Sequence, residues 1–379
     1  MKCKLSDICD FRKGKVDVSK LTLKTYISTE NMLPNKGGIT EANSLPTIQL
    51  TQEYKKGDVL VSNIRPYFKK IWRAKYDGGC SNDVLVFQGN SNIDGDFLYY
   101  VLANGDFFDY SMATSKGTKM PRGDKTSIMQ YEVPVFDVDT QRKIASVLRC
   151  LDEKIELNST INKNLEQQAQ AIFANEFLSL DTLPEGWKQA SLIDIADYLN
   201  GLAMQKYRPT ASETGIPVLK IKELRQGCCD DNSELCSPNI KSEYIIHDGD
   251  VIFSWSGSLL VDFWCGGICG LNQHLFKVMS NKHDKWFYYV WTKHHLDRFI
   301  AVAADKATTM GHIKRDELSK AEVLIPNKAD YKRIGALLQP IYDLIIANRI
   351  ENKKLAETRD TLLPKLMSGE IDISEVDYE

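Results

Sequence analysis

No apolar run in this sequence approaches the ~18 residues needed to cross a bilayer, so a membrane-spanning helix is excluded. The start, Met1-Lys2-Cys3-Lys4-Leu5-Ser6-Asp7, leads into no apolar core, and no secretory signal is expected. No Cys-x-x-Cys pair occurs among the nine cysteines: Cys228 and Cys229 are adjacent, Cys265 and Cys269 four apart. An odd total argues against a complete disulfide framework and the spacing against a metal site. Free thiols in a reducing cytoplasm are the expectation.

Catalytic signatures are also missing. There is no Gly-x-x-x-x-Gly-Lys-Ser/Thr phosphate loop, and Gly266-Gly267-Ile268-Cys269-Gly270 has the wrong spacing for a dinucleotide fingerprint. No Asn-Pro-Pro-Tyr or Asp-Pro-Pro-Tyr quartet, a mark shared among amino-methyltransferases, is present. His294 and His295 are neighbours that a helix would point to different faces, and with His283 they suit a solvated helix better than a metal site. A long chain without a catalytic constellation points to a non-catalytic role. Basic excess is lacking too: the net charge is −3. Any nucleic-acid surface must therefore be local, offset by acidic surface that could serve protein partners.

What is present is duplication. At 379 residues, with 43% hydrophobic and 26% charged content, the chain fits two globular domains of ordinary size. Tyr54-Lys55-Lys56-Gly57-Asp58-Val59-Leu60-Val61-Ser62 is matched by Tyr244-Ile245-Ile246-His247-Asp248-Gly249-Asp250-Val251-Ile252-Phe253-Ser254. Both read as a Gly-Asp turn entering a buried strand. Asn82 precedes the apolar run Val84–Phe87 as Asn272-Gln273-His274 precedes Leu275–Val278. Aromatic helical stretches follow, Phe97–Val101 and Trp286–Val290, then Lys116-Gly117-Thr118-Lys119-Met120 and Lys306-Ala307-Thr308-Thr309-Met310. Val133-Pro134-Val135 is matched by Val323-Leu324-Ile325-Pro326. The offset stays within a few residues of 190 throughout. Repetition of one order at five places is not chance.

Each half ends in a heptad seam. Ile144, Leu148, Leu151, Ile155, Asn158, Asn162, Leu165, Ala169 and Ile172 recur 190 residues later as Ile334, Leu338, Ile341, Ile345, Asn348, Asn352, Leu355, Arg359 and Leu362. Gly335 and Pro340 should kink or delay the start of the second helix. A narrow seam needs a partner, and antiparallel pairing within the chain supplies one. Asn158 and Asn348, the two midpoints, are expected to meet and fix register, unless both face solvent. Asp152, Glu153 and Glu156 are expected on the outer face, for docking or solubility. Some 30 residues at ~1.5 Å each make a rod of about 45 Å. Two similar units held that far apart suit two DNA half-sites about one turn (~34 Å) apart. A duplicated coiled-coil protein-interaction adaptor would share the same pattern.

The fold expectation is α+β: two similar mixed α/β globular DNA-recognition domains separated by a pair of long antiparallel coiled-coil helices with pseudo-two-fold symmetry. Boundaries are placed at 1–136, 137–180 for the first helix, 181–327, and 328–379 for the second.

The domain–helix order and three strings carry a resemblance. They are Gln141-Arg142-Lys143-Ile144-Ala145-Ser146-Val147-Leu148, Leu183-Pro184-Glu185-Gly186-Trp187 and Leu362-Leu363-Pro364-Lys365-Leu366-Met367-Ser368-Gly369. With these the chain resembles the specificity subunit of type I restriction-modification enzymes. The resemblance implies two target-recognition domains, each reading one part of a split DNA sequence. It implies two modification subunits that bind S-adenosylmethionine, and restriction subunits that use ATP and magnesium, with no cofactor in this chain. Two departures stand out: the first half lacks the Pro-Glu-Gly-Trp opening, and Asp330-Tyr331-Lys332-Arg333 replaces Thr140-Gln141-Arg142-Lys143.

DNA contacts need cations for phosphates and amide, guanidinium or hydroxyl groups for base edges. Lys116, Thr118, Lys119 and Arg122 offer both in a glycine-bearing loop, which the family resemblance places near DNA. Their counterparts are Lys306, Thr308, Thr309, His312 and Lys314. Arg65 and Lys69 follow the first Gly-Asp strand and Ser256 the second; Arg65 suits guanine or an ordinary ion pair. Asn82, Asn272 and Gln273 suit adenine readout and equally suit turn caps. Trp255 and Trp264 fit core packing, or contact with a sugar or base.

Overall fold

A computed structural model of the chain describes residues 2–230, 232–305, 313 and 315–376. The chain divides into two units, 1–153 with 355–379, and 154–354. The division falls inside two long helices, Val138–Phe173 and Lys328–Ser368, so each unit contains a stretch of both.

In the first unit an antiparallel sheet runs in the order Cys9–Phe11, Val84–Gly89, Val59–Ser62 and Ile71–Arg73. In the second the order is Asp197–Asn200, Leu275–Met279, Val251–Ser254 and Leu260–Phe263. Position for position this is the same sheet. Val59–Ser62 and Val251–Ser254 are buried along their whole length, because helices cover one face and a second small sheet the other. The Gly-Asp turns before them also match. Gly57 (φ 96°) and Gly249 (φ 84°) take the left-handed region, which costs glycine little. The following aspartate closes each turn, with Asp58 Oδ2 accepting from Lys55 N at 2.8 Å and Asp250 Oδ2 from His247 N at 2.9 Å.

The second sheets share a centre and differ at the edge. Gly78–Cys80 lies between a parallel strand, Tyr26–Ile27, and an antiparallel one, Leu50–Tyr54. Cys269–Leu271 lies likewise between parallel Ile216–Leu219 and antiparallel Ile245–Ile246. The fourth strand joins opposite sides: Lys15–Asp17 pairs with Leu50–Tyr54, whereas Leu235–Cys236 pairs with Ile216–Leu219. Helices Gly95–Ala103 and Gly105–Ala113 in the first unit, Lys285–His294 and Leu296–Asp305 in the second, follow the larger sheet. Phe87, Phe97, Phe107 and Phe108 are fully buried in the first core, Trp286, Phe287, Tyr289 and Phe299 in the second. Each such side chain contributes roughly 1.5–3 kcal/mol by leaving water. The ends of each globule close through a two-stranded ribbon, Lys2–Lys4 with Glu132–Pro134 and Lys188–Ser191 with Glu322–Ile325.

The long helices start 190 residues apart, at Val138 and Lys328, despite their different opening residues. Chemistry explains the difference. Gln141 Oε1 accepts from Asp94 N (2.8 Å), and the Tyr331 hydroxyl accepts from the equivalent Asp284 N (2.9 Å). Asp330 accepts from Trp187 Nε1 (3.0 Å), so an aspartate appears where the Pro-Glu-Gly-Trp opening exists. The first half has neither. After Phe173 the first helix widens into a π-turn, Ala174–Leu178, and ends before residue 180. Lys328–Ser368 runs unbroken through Gly335 and Pro340, contrary to the expected delay. Burial of Ile334, Leu338 and Tyr342 outweighs the lost backbone bond at proline, and Gly335 lets the helix approach Trp286.

Helix pairing is antiparallel in each unit. In the second, Asn348 Nδ2 donates to Asn162 Oδ1 (2.8 Å), and Asn158 Nδ2 donates to Asn352 Oδ1 (2.9 Å) and Glu351 Oε2 (2.6 Å). In the first, Arg359 Nη1 bonds Asp152 Oδ1 (2.6 Å). Asn158, Asn162 and Asn348 are buried in the seam and Asn352 is half-buried, yet Asn158 and Asn348 do not meet each other as expected. Each helix offers two amides one turn apart, and the register that pairs both crosswise satisfies four polar groups where a midpoint pairing satisfies two. Asp152 also departs from expectation: it faces Arg359 and Tyr100, whose hydroxyl donates to it at 2.8 Å. The seam position occupied by Ala169 in one half is Arg359 in the other, and a buried guanidinium recruits that carboxylate.

Among the described residues no helix is long and apolar enough to cross a membrane, and no group of three potential ligands could hold a metal ion. Of the histidines His283, His294 and His295, His295 is buried, His283 half-buried and His294 exposed. His295 Nε2 bonds Glu322 O at 2.8 Å, His294 lies 5.4 Å from the Phe173 ring and His283 5.1 Å from Phe287.

Candidate nucleic-acid interface

In the first unit, three chain segments converge. The strand Val59–Ser62 continues into Asn63-Ile64-Arg65, and the loop 115–123 folds over that continuation as a narrow hairpin. Lys116 and Arg122 exchange backbone hydrogen bonds (2.9 and 3.0 Å), Arg65 N donates to Pro121 O (2.8 Å) and Gly123 N to Asn63 O (3.2 Å). Asn63 N in turn donates to Asp83 O (2.8 Å), which brings Asn82 to the same place. Lys116, Thr118, Lys119 and Arg122 are exposed at the hairpin, Asn82 is exposed beside it, and Arg65 and Lys69 are half-buried beneath. Sequence positions 63–69, 82–83 and 116–123 thus form one surface.

Two glycines permit the crossing. Gly117 has φ 92°, and a Cβ on Gly123 would stand 2.8 Å from both Asn63 Oδ1 and Ile128 Cδ1. Arg65 (φ 51°) and Lys69 (φ 50°) bracket the short helix Pro66–Phe68 in left-handed conformations that side chains seldom adopt. Asn35 and Lys36, also left-handed, bond through their N–H groups to Phe68 O and Lys69 O (2.8 and 2.9 Å). Strain of roughly 1–3 kcal/mol per residue, gathered in two touching loops, marks a surface held in shape by its surroundings. Asn63 Oδ1 and Arg65 Nε are buried without a hydrogen-bond partner among the described residues.

The charge on this surface is partly engaged. Lys116 Nζ pairs with Asp124 (2.6 Å), and Arg122 with Asp83 (3.2 Å). The hydrogen bond from Lys116, with those from Ser127, holds the Asp124 carboxyl down at about 2. Exposed pairs of this kind contribute about 0–1 kcal/mol, so either cation can exchange its carboxylate for a phosphate at little cost. No ion pair engages Lys69 or Lys119 among the described residues.

The second unit places its candidates differently. Ser256 is buried and its hydroxyl bonds His274 Nδ1 (3.0 Å); Asn272 is buried and its Oδ1 accepts from His274 N (3.2 Å). These two, expected to contact DNA, point into the domain, where they hold the loop that carries Gln273 and His274. Burial of the strand ends, invisible in the local sequence, draws them inward. Gln273 and His274 are half-buried, with Gln273 Nε2 3.4 Å from His274 Nε2. Trp255 stacks on Phe276 (5.6 Å between centroids) and donates to Asn200 Oδ1 (3.0 Å), while Trp264 is wholly buried. Lys306, Thr308, Thr309, His312 and Lys314 lie outside the described residues. Ile313, which is described, donates its N–H to Trp255 O (3.0 Å) in the continuation of the Gly-Asp strand.

Two copies of one α+β domain, each built on the same four-stranded sheet and each resting on an antiparallel helix pair, define a tandem recognition-domain protein. The model of the type I restriction modification DNA specificity domain matches residues 1–167 and again 184–357, and the chain belongs to that family. The type I restriction enzyme MjaIX specificity subunit of Methanocaldococcus jannaschii is 25% identical over 354 residues, covering 85% of this chain and 79% of the relative. The HindI specificity subunit of Haemophilus influenzae is 23% identical, covering 97% of this chain and 98% of the relative. The crystal structure of the type I restriction-modification S subunit from M. genitalium shares the fold, with TM-score 0.57 at 15% identity over 97% of this chain and 96% of that one.

Proposed function

We propose that this chain is the DNA-reading, non-catalytic subunit of a type I restriction-modification assembly, each globular unit reading one part of a bipartite target. The observation that carries this is the surface of the first unit. Strained backbone at Arg65 and Lys69 and the pinned hairpin 116–122 present cations and amides together, at the loop where a reader needs them. The match of the family model to both halves of the chain supports a reader for each half of the target.

In this reading the paired helices set the gap between the two half-sites and dock two modification subunits, one per duplicated half. Those subunits supply S-adenosylmethionine and adenine methylation; restriction subunits, where present, supply ATP-driven translocation and magnesium-dependent cleavage. The assembly works in the cytoplasm, where its DNA is. The mixed charges on the helices and the net charge of −3 fit protein docking over much of the surface, with DNA held at local basic patches.

Methylation mapping in a host that expresses the chain with its methyltransferase tests the proposal. A split motif with a fixed gap is the expected result, and methylation unchanged when this chain is deleted overturns it. Replacing Lys116, Lys119 and Arg122 together by alanine removes up to three phosphate contacts. The slope of log K against log salt should then fall by about 2–3.

A further inference from the structure

Beyond the hairpin, the two units differ where the first strand of the larger sheet ends. In the second unit the chain stays hydrogen-bonded after Asn200: Gly201 N donates to Leu275 O (3.0 Å), Leu202 N to Leu271 O (2.9 Å), and Leu202 bridges to Asn272. In the first unit that pairing stops at Arg12, whose N–H donates to Val86 O (2.9 Å). The chain then swings away through Lys13 and Gly14 to form the edge strand Lys15–Asp17 on Leu50–Tyr54. A groove of about 410 Å³ opens along this path, lined by Lys13, Lys15, Thr51, Gln52 and Asn82 among others.

We propose that this groove is a second DNA contact of the first unit, in which Lys13 and Lys15 take backbone phosphates while Gln52 and Asn82 face a base edge. The proposal rests on the reading that the unit binds DNA.

Three observations support it. First, the cations on the rim are uncompensated. Lys13 and Lys15 are exposed, and no ion pair engages either among the described residues. The nearby carboxylates are occupied, Asp58 in a two-point pair with Arg12 (Nη2 to Oδ1 2.9 Å) and Glu53 beside Lys55 (3.8 Å). Second, the amides are available. Thr51 spends its hydroxyl on Cys80 O (2.6 Å), but no side-chain hydrogen bond engages Gln52 or Asn82 among the described residues. Gln and Asn are the side chains that match adenine's paired donor and acceptor. Third, the groove continues into the surface already described, because Asn82 is joined to Asp83, whose carbonyl holds Asn63 and whose carboxylate pairs with Arg122. Gly14 leaves room for the Glu53 side chain here, which a Cβ would push aside. The second unit keeps its chain paired at the equivalent place, so the two halves would read their targets through different chain segments.

The test uses the full chain assembled with its methyltransferase, titrated against a mixed-sequence duplex from 50 to 200 mM salt by fluorescence anisotropy. Lys13→Ala with Lys15→Ala should lower the salt slope by about 1.8, so that affinity falls about tenfold less across that range than in the wild type. Lys116→Ala with Lys119→Ala is run beside it. A reduced slope in that variant, with an unchanged slope in the Lys13/Lys15 variant, overturns the groove and leaves the DNA-reading proposal standing. Wild-type binding that ignores salt overturns both. For the base edge, Gln52→Ala should make one position of the methylated motif degenerate in long-read mapping, with the circular dichroism spectrum unchanged. A motif as strict as the wild type's overturns the role given to Gln52.

Discussion

The crossed asparagine layers make a strong demand on energetics. Asn348 and Asn162 are 8% and 6% exposed, and their amides meet at 2.8 Å, with Asn162 Nδ2 passing a second bond to Ile345 O (3.2 Å). Asn348→Ala takes the donor from Asn162 Oδ1 and leaves a buried carbonyl without a partner. That costs about 1–3 kcal/mol, and 2 kcal/mol is a fair central value. For a unit of this size each kcal/mol lowers the melting temperature by roughly 2–4 °C, so the variant should melt about 4–8 °C lower. Replacing both residues with leucine removes both polar groups, and an apolar pair in the same seam should hold within about 1 kcal/mol of wild type. The difference between the single and double variants is the signature. Differential scanning calorimetry and urea titration of the full chain, followed by tryptophan fluorescence, measure it, since five of the six tryptophans lie in the second unit. A double variant less stable than the single one, by the sum of two separate losses, would refute the buried pair.

Three further outcomes are expected. Arg359→Met should destabilise the first unit by about 2 kcal/mol in urea titration, because it strips the half-buried Asp152 carboxylate of its cation: Arg359 holds Asp152 at 2.6 Å and is itself 9% exposed at the side chain. Gly123→Ala should weaken DNA binding about tenfold, ~1.4 kcal/mol, with unchanged circular dichroism, because the new methyl pushes the hairpin off Asn63. Acid should loosen the second unit first. All six histidines lie between His247 and His312, and burial pushes His283, His294 and His295 below the ordinary 6.5. These rings are neutral when folded, and the unfolded chain takes up protons near pH 6.5. Their contribution is therefore complete above that pH and lost as pH falls through it. Tryptophan-detected urea midpoints at pH 7.5 and 5.5 measure this; equal midpoints would contradict it.

Much of the architecture is legible in the residues because it is periodic. The offset of 190 survives into strand order, helix starts and the two Gly-Asp turns, and the heptad seam announces two helices that need a partner. The loop 116–122 is legible for another reason: glycines and cations together are rare in a core. Less legible was the first unit's groove, whose only trace is Lys13-Gly14-Lys15 after a strand, a pattern that any exposed turn could carry.

Periodicity is local, reporting which face of a helix or strand is apolar and how often it recurs. What it leaves open is which distant group meets each polar residue. Register slipped by one helical turn from Asn158–Asn348 to Asn158–Asn352, and Asp152 turned inward to Arg359, because each pairing is chosen by the sum of contacts between segments some 190–207 residues apart. Ser256 and Asn272 turned inward for the same reason. The amino-acid order alone determined that there are two similar domains and two seams. The packed structure decided which amides face each other, which cations are already held by carboxylates and which stay free for a ligand, since those are three-dimensional balances of burial and charge that no single stretch of chain contains.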